Sequence, residues 1–217
     1  MTRIAILGPG KVGTAIARTM LRAGHEVTLA GPRGADGISL LVGVMAPGAG
    51  IDDARGAVEG SDLVILSLPI RKYRSLDPSL LAGRVVVDAM NHWTPTDGEL
   101  TDFSHPLIGT SEVIANHLHG AKLVKTLNHI GYHELESDGR PPGAPDRRAL
   151  AVASDSPDAA ALVASVVDSI GFDAATLPSL ALGRQLEPGS RIFAGAVSMD
   201  DIHRELGCVS LPMTTVG

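Results

Sequence analysis

Aromatic residues and cysteine are scarce in this sequence. Phe, Tyr and Trp together make up 3% of the 217 residues, so a buried core must consist mainly of aliphatic side chains and alanine. The single cysteine, Cys208, cannot form a disulfide within the chain. No apolar run is long enough to span a bilayer, and the chain begins with a strand pattern and without the layout of a signal peptide. We therefore expect a cytoplasmic protein that does not enter a membrane.

Excess positive charge is absent as well. The formal net charge is −6, which argues against wholesale binding of nucleic acids or anionic membranes. Hydrophobic residues account for 44% and charged residues for 19%, a balance typical of a globular protein. A length of 217 residues suffices for one well-buried α/β domain. Any site for an anion must therefore be local.

Short apolar runs alternate with segments of helical periodicity along most of the chain. Runs typical of buried strands occupy 2–7, Glu26–Ala30, Asp62–Leu68, Arg84–Met90 and Lys122–Leu127. Between them, apolar residues recur at helical spacing over Thr14–Ala23, Ile38–Met45 and Ser111–His119. This alternation predicts a Rossmann fold, a doubly wound parallel sheet of the α/β class.

A segment rich in proline and glycine, Gly139–Pro145 (GRPPGAP), interrupts this pattern. It separates a predicted nucleotide-binding core, residues 1–135, from a C-terminal extension, residues 146–217. The extension carries strand-like runs at Arg148–Ala153 and Asp173–Leu177 and predicted helices at Asp158–Ile170 and Ile192–Leu206. It is too short for an independent domain, so we expect it to pack on the core.

The first strand leads into a glycine-rich turn that opens the first predicted helix, Gly8-Pro9-Gly10-Lys11-Val12-Gly13. A GxGxxG spacing between a strand and a helix, with a second strand following, is typical of dinucleotide-binding units. In such a turn Gly8 makes the tight bend, Gly10 lets the backbone approach a pyrophosphate, and Gly13 lets the helix pack closely. The amides at the start of the helix favour an anion. We therefore predict that these six residues bind a dinucleotide.

The residues after the second strand indicate which nucleotide is bound. NAD-selective sites place an acidic residue at the tip of this strand to bind the ribose 2′-hydroxyl. Here the strand runs into Pro32 and Arg33, and Arg33 could bind a 2′-phosphate with two hydrogen bonds and stack on adenine. Asp36 is close enough in sequence to reach the ribose instead. The pattern favours NADP, with Pro32 and Arg33 as binding residues, and leaves NAD or dual use as the alternative.

Ligands of open parallel sheets bind beyond the carboxyl ends of the strands. On the adenosine and pyrophosphate side, the predicted lining residues are Ser67, Leu68 and Pro69. Around the nicotinamide they are Ala89, Met90, Asn91 and Asn128. The two asparagine amides could bond the nicotinamide carboxamide, and a turn-forming role is the alternative for both.

Histidines cluster in the second half of the core, at His117, His119, His129 and His133. Neither a paired carboxylate nor a cysteine supplies further ligands at a recognisable spacing, so we predict no metal site. His129 is instead a candidate proton donor to a substrate, and it is the one predicted catalytic residue.

Several segments, in order along the chain, resemble the NADPH-dependent coenzyme F420 reductases, also called F420-dependent NADP oxidoreductases. They are Ile6–Gly13 (ILGPGKVG), Leu29–Arg33 (LAGPR), Val64–Pro69 (VILSLP), Val85–Asn91 (VVVDAMN), Ala121–Asn128 (AKLVKTLN), Gly171–Leu177, Leu182–Arg184 and Leu186–Gly189. Arg74–Leu76 and Leu81–Gly83 are also similar to the reductase domains of STEAP-type membrane metalloreductases. The resemblance covers nearly the whole chain.

The resemblance implies NADP as cofactor and direct hydride transfer between nicotinamide C4 and a second redox ring, either the deazaflavin coenzyme F420 or a flavin. Such chemistry needs two stacked rings and little acid–base help. The second ring would be contacted around His129–His133 and Leu182–Arg191. Two alternatives stay open: a dehydrogenase or reductase of a small carbonyl or imine, with His129 as proton donor, and a non-catalytic NADP(H)-binding redox sensor. We expect a homodimer, the commonest oligomer.

Overall fold

Eight strands form one sheet in the computed structural model, which describes residues 1–32, 34–193, 195 and 198–206. The strands are β1 (Arg3–Leu7), β2 (Glu26–Ala30), β3 (Gly50–Ile51), β4 (Leu63–Leu66), β5 (Val85–Asp88), β6 (Lys122–Lys125), β7 (Ala149–Ala153) and β8 (Asp173–Leu177). Their order across the sheet is β3-β2-β1-β4-β5-β6-β7-β8. Neighbouring strands run parallel except β6 and β7. The predicted Rossmann fold is confirmed, with a sheet that is mostly parallel.

Helices flank this sheet. The α-helices are α1 (Lys11–Arg22), α2 (Ser39–Met45), α3 (Ala54–Glu59), α4 (Pro78–Leu81), α5 (Thr94–Asp97), α6 (Thr110–His117), α7 (Tyr132–Ser137), α8 (Pro157–Ser169) and α9 (Met199–Glu205). Short 3₁₀ helices span Ile70–Ser75, Thr101–Phe103 and Leu180–Leu186. No helix among the described residues combines the length and the hydropathy that crossing a bilayer requires.

Both faces of the sheet are covered, which is why its central strands are largely apolar. On one face, Met20 of α1 and Val163 of α8 belong to one buried hydrophobic cluster. On the other face, Val58 of α3 and Ile114 of α6 belong to a second cluster. All four residues of β4, Leu63–Leu66, are buried between the two layers. Near-continuous apolar strands are what a parallel sheet between two helix layers requires.

The C-terminal extension continues the same sheet, but its first strand runs in the opposite direction. β7 is antiparallel to β6, with Lys125 opposite Ala153. The alternating pattern predicts a parallel sheet, and the direction of β7 departs from it. The connection from β6 to β7 contains the six-residue helix α7 and the Pro-rich loop, and an antiparallel neighbour needs no crossover helix.

Two further elements differ from the sequence prediction. The edge strand β3 has no predicted counterpart, because its two residues, Gly50–Ile51, show no alternation that could be detected. The last predicted helix is shorter than expected, since α9 begins after Ser198, whose Oγ accepts a hydrogen bond from the Asp201 amide as an N-cap. Cys208 lies outside the described residues.

Candidate functional site

The glycine-rich turn between β1 and α1 has a shape that only glycine allows at two positions. Gly8 adopts φ +118°, and a Cβ there would lie 2.6 Å from the carbonyl oxygen of Ser67. A Cβ on Gly13 would lie 1.9 Å from the carbonyl oxygen of Gly8, so the helix could not pack this close to the turn. Gly10 differs, because no atom lies within 4 Å of a Cβ built on it. The absence of a side chain at Gly10 therefore leaves open space in front of the turn.

Helix α1 begins at this open space without a capping side chain. Gly10 is its N-cap residue, and no acidic side chain occupies its first turn. The first amides of an α-helix have no partner within the helix, and the helix dipole gives them partial positive charge. The amides of Lys11 and Val12 are therefore oriented to bind an anion.

Ser67, at the end of β4, stabilises the turn. Its Oγ donates a hydrogen bond to the carbonyl oxygen of Gly8 at 2.8 Å. The Gly8 amide in turn donates to the carbonyl oxygen of Ala30 at 2.9 Å. The ends of β1, β2 and β4 are thereby joined around the turn, and the Ser67 hydroxyl binds the turn itself.

A cleft of about 430 Å³ opens at the carboxyl ends of β1, β2 and β4. Its volume lies within the range of small-molecule sites. Residues from the turn, the strand ends, α3 and the first 3₁₀ helix line it: Leu7, Gly8, Pro9, Gly10, Ala30, Gly31, Pro32, Ala54, Ser67, Leu68, Pro69, Lys72, Ser75 and Leu76. Sequence reasoning missed Ala54 of α3, Lys72 and Ser75 of the 3₁₀ helix, and Leu76 just after it, because the strand-end rule does not reach elements that fold back over the edge.

The charged side chain in the described lining of this cleft is positive. Among the described lining residues there is no carboxylate, and the cation is Lys72. Asp36, the sequence candidate for a ribose hydroxyl, is exposed and does not line the cleft. Arg33 lies outside the described residues. The described wall of the cleft therefore favours an anionic group.

Residues that follow β5 and β6 meet at the same edge of the sheet. The Asn91 amide nitrogen donates to the carbonyl oxygen of Asn128 at 2.7 Å. The Asn128 amide nitrogen donates to Asn91 Oδ1 at 3.0 Å and to the carbonyl oxygen of Leu186 at 2.7 Å. Both amide hydrogens of Asn128 are thus used, whereas Asn91 keeps one N–H and one oxygen lone pair. Asn91 is partly exposed, whereas Asn128, Ala89 and Met90 are buried. The side chain of Asn91 can therefore contact a ligand, while the buried Asn128 holds Asn91 in position.

His129 lies in the protein interior, with 1% of its surface exposed. Its Nε2 accepts a hydrogen bond from the Ala151 amide at 3.1 Å, so the proton of the neutral ring is on Nδ1, 3.2 Å from Asn128 Oδ1. Burial, together with the positive charges of Lys125 and Arg148, lowers the pKa of His129 to about 3. A neutral ring bound through both nitrogens fits a structural histidine better than a proton donor.

The other three histidines of the predicted cluster do not converge with it. His117 Nε2 donates to the carbonyl oxygen of Leu76 at 3.0 Å, and the ring of His133 packs on Tyr132 with centroids 4.2 Å apart. His119 follows the end of α6. Within the described ranges, no three His, Cys, Asp or Glu side chains are grouped so that they could hold a metal ion.

Sequence reasoning also missed a buried ion pair next to Met90. Lys125 Nζ lies 3.1 Å from Asp88 Oδ2, and neither side chain is exposed to solvent. The two residues end β6 and β5 and are paired in the sheet register. A charged residue that ends an otherwise apolar strand, as in VVVD and KLVK, is the signal that could have found the pair.

The chain matches a known protein family over part of its length. Residues 3–92 match the family described as NADP oxidoreductase, coenzyme F420-dependent. None of the curated proteins matches the chain.

Comparison with solved structures gives full-length neighbours. A hypothetical protein from Sinorhizobium meliloti is 26% identical, with a TM-score of 0.78, over 91% of this chain and 96% of that one. A candidate F420-dependent NADP-reductase from Arthrobacter sp. FB24 is 25% identical, with a TM-score of 0.70, over 85% of this chain and 88% of that one. The 3-hydroxyisobutyrate dehydrogenase of Mycobacterium tuberculosis, at 20% identity, a TM-score of 0.58 and coverage of 85% and 57%, shares the fold.

Proposed function

We propose that this chain, whose residues 3–92 match the family of coenzyme F420-dependent NADP oxidoreductases, is an NADP-dependent oxidoreductase that transfers a hydride between nicotinamide and coenzyme F420 or, failing that, a flavin. The cofactor supplies the redox chemistry at nicotinamide C4, and the chain binds and orients the reactants. The observation that carries the proposal is the cleft in front of the glycine turn, which combines free helix amides with a wall that lacks a carboxylate among its described residues.

The residues at this cleft fit the phosphate-bearing half of NADP. The open space at Gly10 admits a pyrophosphate, and the first amides of α1 donate hydrogen bonds to it. Arg33 follows β2 in sequence, and Lys72 lines the cleft. Both would attract the 2′-phosphate that distinguishes NADP from NAD.

The residues at the other end of the site fit the nicotinamide. Asn91 retains one amide N–H and one oxygen lone pair, which is the complement of a carboxamide group. Asn128 holds Asn91 through two hydrogen bonds. A carboxamide bound in this way fixes the rotation of the nicotinamide ring, and hence the face from which hydride leaves.

The chemistry of this end supports a second redox ring as partner more than a carbonyl. Reduction of a carbonyl requires a proton donor beside the developing alkoxide. His129, the candidate for that role, is buried, neutral and bound through both ring nitrogens. Hydride transfer between two stacked rings needs orientation and little acid–base help.

Contacts made by the C-terminal segment Leu182–Arg191 suggest where that second ring would bind. Leu186 accepts a hydrogen bond from Asn128, and Glu187 Oε1 accepts one from the Thr110 amide at 2.7 Å. These contacts hold Leu182–Arg191 next to the nicotinamide end. We propose that the second ring lies between this segment and His129–His133.

An acceptor panel tests the proposal. Purified protein is mixed with NADPH or NADH and with F420, FMN, FAD or a set of small carbonyls and imines, and nicotinamide oxidation is followed by absorbance. We expect turnover with NADPH and F420, or with a flavin, at rates well above those of NADH.

Two results would contradict it. Turnover of carbonyls or imines alone would point to a small-substrate reductase. Tight NADPH binding without turnover of any acceptor would point to a redox sensor.

A further inference from the structure

A wholly buried ion pair lies at the ends of the two strands that carry Asn91 and Asn128. Asp88 ends β5 and Lys125 ends β6, and the asparagines follow each of them by three positions. Lys125 Nζ is 3.1 Å from Asp88 Oδ2. The hydroxyl of Ser111 donates to the same carboxylate oxygen at 2.6 Å.

Both members of the pair hold the main chain of Met90. The Met90 amide donates to Asp88 Oδ1 at 3.0 Å, and the Met90 carbonyl accepts from Lys125 Nζ at 2.6 Å. Every polar main-chain atom of Met90 is thereby bound by one of the two charges. Because Asn91 is the next residue, its position depends on these two hydrogen bonds.

The course of the chain after Lys125 also depends on this arrangement. Leu127 has φ +61°, a left-handed conformation that a non-glycine residue adopts only where its surroundings impose it. This turn brings Asn128 back toward Asn91, to which it is joined by two hydrogen bonds. Gly183 of the last 3₁₀ helix covers Lys125 so closely that a Cβ on it would lie 2.9 Å from Lys125 Cβ.

A buried ion pair contributes little net stability to a protein core. Two charges removed from water lose hydration that their mutual attraction often fails to restore, and an apolar pair of similar volume is frequently as stable. Packing alone therefore gives no reason for Lys and Asp here. The hydrogen bonds to Met90 supply one, because an apolar pair could not hold that main chain.

We propose that Lys125 and Asp88 are positioning residues for the nicotinamide, which fix Met90 so that Asn91 presents its amide to the carboxamide. The proposal rests on the proposed function, since it requires the nicotinamide to lie beside Asn91. Neither charged side chain touches the cofactor. We expect their effect to be largest at the nicotinamide end, because their side chains bind Met90, Ser111 and each other and no residue of the glycine turn.

Comparing two ligands that share the adenosine half distinguishes this positioning role from a purely structural one. 2′,5′-ADP carries the adenosine half of NADP and lacks nicotinamide, whereas NADPH carries both. We would measure the affinity of each by titration calorimetry, together with the fluorescence of the bound reduced nicotinamide and the thermal midpoint. The variants are Lys125→Met, which leaves a lone buried carboxylate, and Lys125→Met/Asp88→Asn, which is uncharged. Arg147→Met is the matched control, since its side chain is 3% exposed and pairs with Asp168 in the extension.

We expect both Lys125 variants to bind NADPH about tenfold more weakly and 2′,5′-ADP within about twofold of the original protein. The double variant regains thermal stability but not NADPH affinity or the fluorescence of bound nicotinamide, and Arg147→Met changes stability alone. If Lys125→Met does not fold, Ser111→Ala, which removes one hydrogen bond to Asp88, is expected to show a smaller loss for NADPH only. Equal losses for both ligands, or recovery of NADPH affinity in the double variant, would overturn the positioning role. Failure of the unchanged protein to bind NADPH would overturn the proposed function as well.

Discussion

The charged residues at the two ends of the candidate site, Lys72 at one and Lys125 with Asp88 at the other, have different surroundings. At the proposed adenosine end, Lys72 lines a cleft that has no carboxylate among its described residues. At the proposed nicotinamide end, the charges of Lys125 and Asp88 neutralise each other in the interior, and neutral Asn91 is a polar group that a ligand can reach. The distribution matches a ligand with phosphates at one end and an uncharged amide at the other.

Arg33→Ala tests the nucleotide preference at the level of one side chain. Hydrogen bonds to a charged group contribute about 1.5–3 kcal/mol, so NADP⁺ should bind roughly ten- to a hundredfold more weakly. NAD⁺ has no 2′-phosphate, and its affinity should stay within about twofold. Titration calorimetry measures both. Arg204→Ala, which removes an exposed arginine on α9, is the control for loss of one positive charge. Equal losses for NADP⁺ and NAD⁺ would refute the role of Arg33.

The buried ring of His129 predicts how stability depends on pH. Its pKa is lowered to about 3 in the folded chain, against about 6.5 when unfolded, so below pH 6.5 the unfolded chain binds more protons. The stability due to the neutral ring is complete above pH 6.5 and is lost as the pH falls toward 3. From pH 7 to pH 5 the expected loss is about 2 kcal/mol.

Urea denaturation at pH 7 and pH 5, compared with His129→Gln, measures this loss. The glutamine side chain can accept a hydrogen bond from the Ala151 amide and donate one to Asn128, and it does not titrate. The variant should lack the part of the pH dependence due to His129, whatever other groups contribute. Identical slopes for both proteins would show that His129 titrates normally.

At the scale of elements, helix α1 offers the same substitution at both of its ends. Gly10→Ala places a methyl group in the open space where the pyrophosphate is proposed, and φ −78° at Gly10 suits alanine. The fold should keep its stability to within about 1 kcal/mol, while NADP⁺ binds at least about tenfold more weakly.

The control is Gly24→Ala, just beyond the end of the same helix. Gly24 has φ +82°, so alanine should cost about 1 kcal/mol of stability and leave binding unchanged. Thermal unfolding and calorimetry separate the two effects. Normal NADP⁺ affinity in Gly10→Ala would show that the phosphates do not pass this turn.

The elements that could be predicted from the sequence are those whose own residue pattern shows whether they are buried or make a tight turn. β4 is apolar throughout and β5 is apolar up to Asp88, and the turn Gly8–Gly13 has a spacing that few other structures require. The reversal of β7 depends on how a distant loop returns to the sheet, which local sequence does not encode. The hydrogen bonds that Asn128 makes with Asn91 and Leu186 likewise join three separate segments.

At the scale of the whole molecule, the extension and the core share one sheet and should unfold together. β7 pairs with β6, and the ring of Phe193 packs on Trp93 with centroids 5.5 Å apart. We therefore expect Trp93 fluorescence and far-ultraviolet circular dichroism to report a single coincident transition in urea. Two separated transitions would mean that residues 146–217 fold as an independent unit.

In the proposed reaction, nicotinamide C4 lies next to the C5 carbon of a deazaflavin ring. The most direct test is transfer of deuterium from NADPH labelled at C4, with the 4R and 4S forms used in parallel, to coenzyme F420. In the proposed reaction NADPH, F420 and a proton give NADP⁺ and reduced F420, with the hydride moving to C5. Mass spectrometry should find deuterium on reduced F420 from one of the two labelled forms, because a C–H bond at C5 does not exchange with water. Reduced F420 without deuterium from either form would contradict direct hydride transfer, and no reduction of F420 at all would contradict F420 as the acceptor.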